Sequence, residues 1–212
     1  METVSNRASP FSRVNDATVT GVAPHTARTY LLRFLLMLVI SSALSAFSPA
    51  QVHPTESQVK AAYLYNFGKF VRWQADRAAA TSLEICILGK DPFGAVLDST
   101  IAGESIDGRK IVVSRLAKAQ DASHCNILFV SLSEENRIGA VLSAVERLGV
   151  LTVSDIPHFA ERGGMIEFVA REGKIRFEVN RAAAERAHVT LSSELLKVAV
   201  KVIDDSGTGG HP

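Results

Sequence analysis

The sequence predicts an α/β domain: a layered, largely parallel sheet flanked by helices on both faces, with an antiparallel C-terminal hairpin. Three observations predict it. Short apolar runs of strand length alternate with amphipathic stretches from residue 56 to 154, the order of a parallel sheet crossed by helices. One of those runs, Asn126–Val130 (NILFV), carries four consecutive apolar residues, as strands covered on both faces do. Two further runs, Met165–Ala170 and Lys174–Val179, are joined by Arg171-Glu172-Gly173, the spacing of a hairpin.

Ahead of the domain, Phe34–Ile40 (FLLMLVI) is unbroken hydrocarbon that continues more weakly to Leu44, with Arg28 and Arg33 upstream and small residues and Pro49 downstream. A basic stretch, an apolar core and small residues, in that order, are the layout of a secretory signal. Cleavage is expected after Ala50, with Ala46 the alternative, because both sites place small side chains where a signal peptidase must accept them. An uncleaved anchor is the opposing reading, but a spanning helix needs ~20 predominantly apolar residues. The run from Phe34 to Phe47 is shorter and contains serines. Residues 1–27 are Ser-, Thr-, Asn- and Ala-rich and read either as a disordered extension or as a start assigned too far upstream. The expected organisation is 1–50 extension and cleavable signal, 51–203 a single α/β domain, and 204–212 a polar, Gly-rich disordered tail.

Each element has its own reason. From Glu56 to Trp73, Val59, Tyr63, Phe67 and Phe70 recur at helical spacing, with Lys60, Lys69 and Arg72 elsewhere. Leu83–Leu88 (LEICIL) is stopped by Gly89, Asp91 and Pro92 and reads as a buried strand, followed by a short helix from Phe93 to Ser99. Lys110–Arg115 is the second strand and Asn126–Val130 the third. Ser131 with Glu134 three residues on has the form of a capping box opening a helix to Leu148, whose apolar face is Ile138, Val141, Leu142, Val145 and Leu148. Gly149 ends that helix, and Val150–Val153 is the next strand, so a β-helix-β crossover is expected. In the second hairpin strand, alternation sets Ile175, Phe177 and Val179 on one face and Arg176, Glu178 and Asn180 on the other, which reads as a surface. Two helices close the domain, Arg181 to His188 and Ser192 to Val202, the latter capped by Ser192 and striped by Leu195, Leu196, Val198, Ala199 and Val202.

Charge excludes some partners. The exported part carries 19 Lys+Arg against 20 Asp+Glu, interspersed, so neither nucleic acid nor an anionic membrane surface is a target. Cys86 and Cys125 both lie in that part. A disulfide is expected if their strands neighbour each other in the sheet, and two separately buried thiols are the alternative. No nucleophile elbow or P-loop is present, and Gly89-Lys90 is followed by Asp91 rather than Ser or Thr. His53, His124, His158 and His188 lack metal-ligand spacing, so neither a metal nor another cofactor is expected. His124 beside Cys125 is a thiol–imidazole neighbour, and Glu134-Glu135 is explained by a helix start. Nothing points to catalysis; function is expected to come from binding.

Ala61-Ala62-Tyr63-Leu64-Tyr65-Asn66-Phe67 with Trp73, Ile87-Leu88-Gly89 with Asp91-Pro92-Phe93-Gly94, Cys125–Val130 and Leu151–Asp155 resemble the YfiR family of small periplasmic proteins. So do Gly163–Ile166, Arg176–Asn180 and Leu191–Leu196, and the resemblance runs from Glu56 to Val202. It implies a dimeric α/β repressor that binds the periplasmic domain of an inner-membrane diguanylate cyclase and holds the cyclase off, limiting cyclic-di-GMP and biofilm until redox or envelope stress releases it. It also matches Cys86 and Cys125 to one of the namesake's two cysteine pairs. The second pair is replaced here by Ala160 and Glu167, and His188 stands where many members have glycine.

Two functions of different class follow. A partner-binding module would use Arg176, Glu178, Asn180 and Phe168, the last on the approach from Gly163. A periplasmic small-ligand sensor, the alternative, would bind where strand ends meet helix starts, at Asp91, Phe93, Gly94, Ser131 and Ser133.

Overall fold

The computed structural model describes residues 29–36, 54–74 and 80–204. The chain divides into two units, Met1–Val52 and His53–Pro212. In the first, residues 29–36 are a helical stretch with exposed side chains. The remainder of the expected signal, both cleavage positions and the tail from residue 205 lie outside the described residues. No described helix is long and apolar enough to cross a membrane.

The second unit opens with α1 (Glu56–Phe70), started by a capping box: Thr55 Oγ1 accepts from Gln58 N–H, and Gln58 Oε1 accepts from Thr55 N–H. Its buried face is Lys60, Ala61, Leu64, Phe67 and Gly68, about one residue round from the expected stripe, and Phe70 is exposed. The small residues explain the shift. Ala61 and Gly68 let the helix lie close on its neighbours, and a Cβ on Gly68 would stand 2.7 Å from Ile106 Cδ1. The helix stops at Phe70, short of Trp73, because Val71–Arg72 (β1) turns extended and pairs with Thr190–Leu191 (β9).

Then come β2 (Ser82–Leu88), α2 (Ala95–Ile101), β3 (Ser105–Ile106), β4 (Arg109–Leu116), a 3₁₀ turn (Ala119–His124), β5 (Ile127–Val130), a second 3₁₀ turn (Leu132–Arg137), α3 (Ile138–Val145) and β6 (Leu151–Ser154). The hairpin is β7 (Ile166–Arg171) and β8 (Lys174–Asn180); α4 (Arg181–Arg186), α5 (Ser193–Val198) and β10 (Lys201–Ile203) complete the domain. The main sheet has the order β10-β8-β7-β6-β5-β2-β4-β3. It is parallel except for the β7/β8 hairpin and the short β3/β4 pair, the latter not foreseen. The hairpin turn has two residues rather than three, since Arg171 pairs with Lys174. Glu172 and Gly173 both take left-handed φ, 52° and 69°, as a twist-matched tight turn requires.

The pleat divides the core in two. Leu83, Ile85, Ile87, Ile127 and Phe129 face α1, α2 and α4, while Cys86, Leu88, Leu128 and Val130 face α3 and the first 3₁₀ turn. Helices therefore cover both faces, as the alternation of elements requires.

Two expected elements differ. The predicted Ser131–Leu148 helix begins as a 3₁₀ turn and becomes α-helical only at Ile138. The capping box does not close: Ser131 N–H is already donated to Leu88 O in the sheet, and the buried Glu134 carboxylate pairs with Arg137 instead. The helix expected from Ser192 to Val202 ends at Val198. Ala199 is extended (φ −66°, ψ 140°), and Lys201–Ile203 joins the sheet edge parallel to β8.

Lys60, expected off the buried face of α1, is buried. Its Nζ lies 2.7 Å from Asp155 Oδ2 and 2.5 Å from Glu56 Oε1, tying α1 to the loop after β6. Burial pulls the ammonium pKa down, but the hydrogen bonds and charges of Asp155 and Glu56 outweigh it, and the net shift is upward from 10.5. A raised pKa gives stability that is full below the unfolded value and lost as pH rises through the folded one, so the lysine's contribution to this tie is lost in strong base. Lys60→Ala leaves a largely covered carboxylate unpaired and is expected to cost about 2–3 kcal/mol, below the ~3–5 of a wholly buried pair because Asp155 keeps some solvent. Urea unfolding at neutral pH checks this; a cost under ~0.5 kcal/mol would make the pair an ordinary surface contact.

Candidate functional site

Three places were singled out by sequence. Cys86 and Cys125 are joined in a disulfide, Cα–Cα 5.9 Å, closing a sequence separation of 39 residues. Both are fully buried: Cys86 is central in β2, and Cys125 ends the first 3₁₀ turn just before β5, which pairs with β2. The exposed His124 ring approaches from solvent, Nε2 3.9 Å from Cys86 Sγ. The two sulfurs and this imidazole form a metal-like cluster, but with the sulfurs bonded to each other they have no thiolate to offer an ion.

The second place is β8 and its neighbours. The expected outward set is corrected here. Glu178 is 7% exposed, Asn180 6% and Phe168 4%; of the four, Arg176 alone stands in solvent. The alternation in β8 was right and the environment was not: the loop after β6 and Lys201 of the edge strand β10 close over Asn180 and Glu178, while Phe168 stands opposite Phe177 on the other face and packs against α1. Asn180 Nδ2 donates to Ala160 O and its Oδ1 caps α4 at Ala183 N–H. Glu178 lies 3.2 Å from Arg171 and 3.9 Å from Lys201. Directly across the ladder, Glu167 accepts from the N–H groups of His158 (3.0 Å) and Ala160 (3.1 Å). A hydrogen-bonded carboxylate thus ties the 158–160 loop to β7 at the positions, 160 and 167, where the resemblance sets the missing cysteine pair. Lys201 bonds Glu161, which raises the pKa of the lysine and lowers that of the glutamate.

What remains exposed at this edge is apolar and basic. Val198, Val200 and Val202 are 64%, 46% and 36% exposed, at alternate positions leading into and along β10. Arg171, Arg176, Glu172 and Lys201 line a groove beside Val200. The signal was in the sequence: Val200 and Val202 alternate as in a strand, whereas the expected helical stripe takes in Val198 and Val202 and leaves Val200 out.

The third place is the crevice between the carboxyl ends of β2 and β5. From β2 the chain goes first to β4 on one side and then to β5 on the other, so the order of connection reverses there. The predicted residues do converge, and they bond to one another. Ser133 Oγ accepts from Lys90 N–H (2.9 Å), and Ser131 Oγ accepts from Ser133 N–H. Asp91 caps Phe93 N–H and Gly94 N–H and pairs with Arg115. Phe93 is buried edge-on to Phe129 at 4.9 Å. Gly89, at φ 88°, is pressed against Ser133 and Glu134 so closely that a Cβ would stand 2.4 Å from the Ser133 hydroxyl. Arg115 bridges Asp91 and Asp98; its hydrogen bond holds the Asp98 carboxyl below its usual range, and those of Asp98 and Asp91 raise its own pKa. These bonds hold the loops after β2 and β5 to each other and to β4 and α2.

The sequence model of the YfiR/HmsC-like family matches residues 57–200, from the start of α1 to the residue before β10. The chain belongs to this family. YfiR-like proteins are regulatory and non-catalytic, and the family is periplasmic. No curated protein matches the sequence. Among solved structures it is similar to a conserved domain protein from Vibrio cholerae, at 13% identity and TM-score 0.48, covering 70% of this chain and 60% of that one. It is also similar to an ABC domain in complex with L-Trp from Streptococcus pneumonia, at 12% identity and TM-score 0.46, covering 69% of this chain. The alignment spans 60% of the length of each. Within the YfiR-like domain, His188 has φ 56°, the left-handed conformation that favours the glycine the resemblance sets there.

Proposed function

We propose that this protein is a periplasmic regulatory binding protein that, as a homodimer, contacts the periplasmic domain of an inner-membrane diguanylate cyclase and holds the enzyme inactive, lowering cyclic-di-GMP and restraining biofilm formation. The observation that carries the reading is the family match over residues 57–200, which takes in nearly the whole described domain. The disulfide supports an oxidising compartment. The contact surface is the β10 edge: three exposed valines beside Arg176, Arg171 and Lys201 suit a partner strand that is apolar and acidic, added to the open edge of the sheet. This surface replaces the buried Glu178, Asn180 and Phe168 and keeps Arg176.

Deleting the gene and measuring cyclic-di-GMP tests the role; an unchanged level under inducing and non-inducing conditions rejects it. The surface has its own test. Val200→Glu places a charge on an exposed position and should change stability by no more than ~0.5 kcal/mol, yet it is expected to weaken partner capture at least tenfold and to raise cyclic-di-GMP towards the deletion level. A folded Val200→Glu protein that represses normally removes the β10 edge and leaves the regulatory role standing.

A further inference from the structure

Between α3 and α4, at the amino ends of β6 and β7, the domain holds an open cavity of about 290 Å³. Its base is Val145, Thr152, Met165, Ala183 and Ala187, all buried, and the Thr152 hydroxyl is engaged by Met165 N–H at 3.1 Å. The mouth is charged. Arg162, Arg186 and Glu146 line it and are all exposed. Arg162 is steadied by donating to Glu135 O at 3.3 Å. The side chains of Arg186 and Glu146 have no hydrogen bond or ion pair among the described residues, although they carry opposite charges on one cavity.

Two guanidinium groups against one carboxylate leave the mouth with one excess positive charge. An arginine fork matches a carboxylate in shape and charge. The apolar base accepts hydrocarbon, and a small concave site with few polar groups at its mouth is the usual form of a ligand pocket. Glu146 repels a second negative charge. We infer that this cavity binds a small monocarboxylate with an apolar body, and that Arg186 is its principal anchor. The inference is independent of the β10 surface and of the cyclase.

Gly139 supplies a control. It lines the cavity as the second residue of α3, and a Cβ added to it would meet no atom within 4 Å. Leucine is a better helix former than glycine, so Gly139→Leu fills the mouth without disturbing the fold.

The experiment titrates the ¹⁵N-labelled exported protein with hexanoate, using adipate and 1-hexanol as charge controls and following the amides of Gly139, Ser143 and Gly163. Hexanoate should give saturating shifts with a dissociation constant on the order of 1 mM. Adipate should bind at least threefold more weakly and 1-hexanol at least tenfold. Arg186→Gln should weaken hexanoate at least fivefold, and Gly139→Leu should abolish saturation while the Tm holds or rises. Shifts that stay linear in hexanoate, equal affinity for adipate, or an Arg186→Gln protein that binds like the parent would each overturn the inference.

Discussion

Replacing both Cys86 and Cys125 with alanine is expected to lower the unfolding free energy by about 4 kcal/mol. The bridge closes a separation of 39 residues, and constraining a loop of that length in the unfolded chain is worth ~4 kcal/mol in the chain-entropy account. That loop contains α2, β3 and β4, so the bridge fastens one whole end of the sheet to the strand pair at its centre. A domain with an ordinary net stability of ~5–15 kcal/mol keeps little after such a loss. Comparing urea unfolding of the oxidised protein with that of the double alanine variant measures it. A difference under ~1 kcal/mol would mean that the enclosed segment is already ordered in the unfolded state. Both sulfurs are fully buried, so a gentle reductant should act slowly on the folded protein and quickly once urea opens it.

Much of this architecture was legible because it rests on short-range pattern. The runs at Leu83–Leu88, Asn126–Val130 and Val150–Val153 became β2, β5 and β6, within a residue at each end, since a strand buried on both faces announces itself by unbroken hydrocarbon. Their neighbourhood in the sheet also brought the cysteines into reach. Most of the failures share a cause: they depended on what lies over a residue, which periodicity does not record. Alternation correctly separated Phe177 from Glu178 and Asn180, but whether the polar side met water was decided by Ala160, 20 residues from Asn180, and Lys201, 23 residues from Glu178. Lys60 was placed on the wet face of α1 because lysine is seldom buried, and Asp155 reverses that only after the chain has folded back over it. At the crevice between β2 and β5, nothing in the spacing of Lys90 and Ser133 says that they bond to each other. The end of α5 was missed for another reason: no Gly or Pro marks the break at Ala199, and the valine alternation that follows is compatible with either period until β8 offers an edge.

Phe168 separates surface from core most sharply. Its ring is 5.9 Å from Phe67 and stacked with it, and 5.8 Å from Tyr63; both of those rings also meet Phe177. This cluster is where α1 packs onto β7 and β8, so it carries the hairpin and, through β8, the β10 edge. Phe168→Ala removes a large buried side chain from that joint and leaves a void that the backbone of a paired strand cannot close, at an expected cost of about 3–5 kcal/mol. For a domain of this size that corresponds to a fall in Tm of roughly 10 °C or more. A residue in direct contact with a partner would behave in the opposite way: truncation would spare the free protein and weaken the complex. The decisive pair of measurements is therefore the Tm of the isolated variant and its partner capture at a temperature where it remains folded. A large drop in Tm with near-normal capture at low temperature assigns Phe168 to the core, whereas an unchanged Tm with lost capture would return it to the binding surface. Val200→Glu is expected to give the reverse pattern, and the contrast between the two variants divides the residues that build the β10 edge from those that meet the partner.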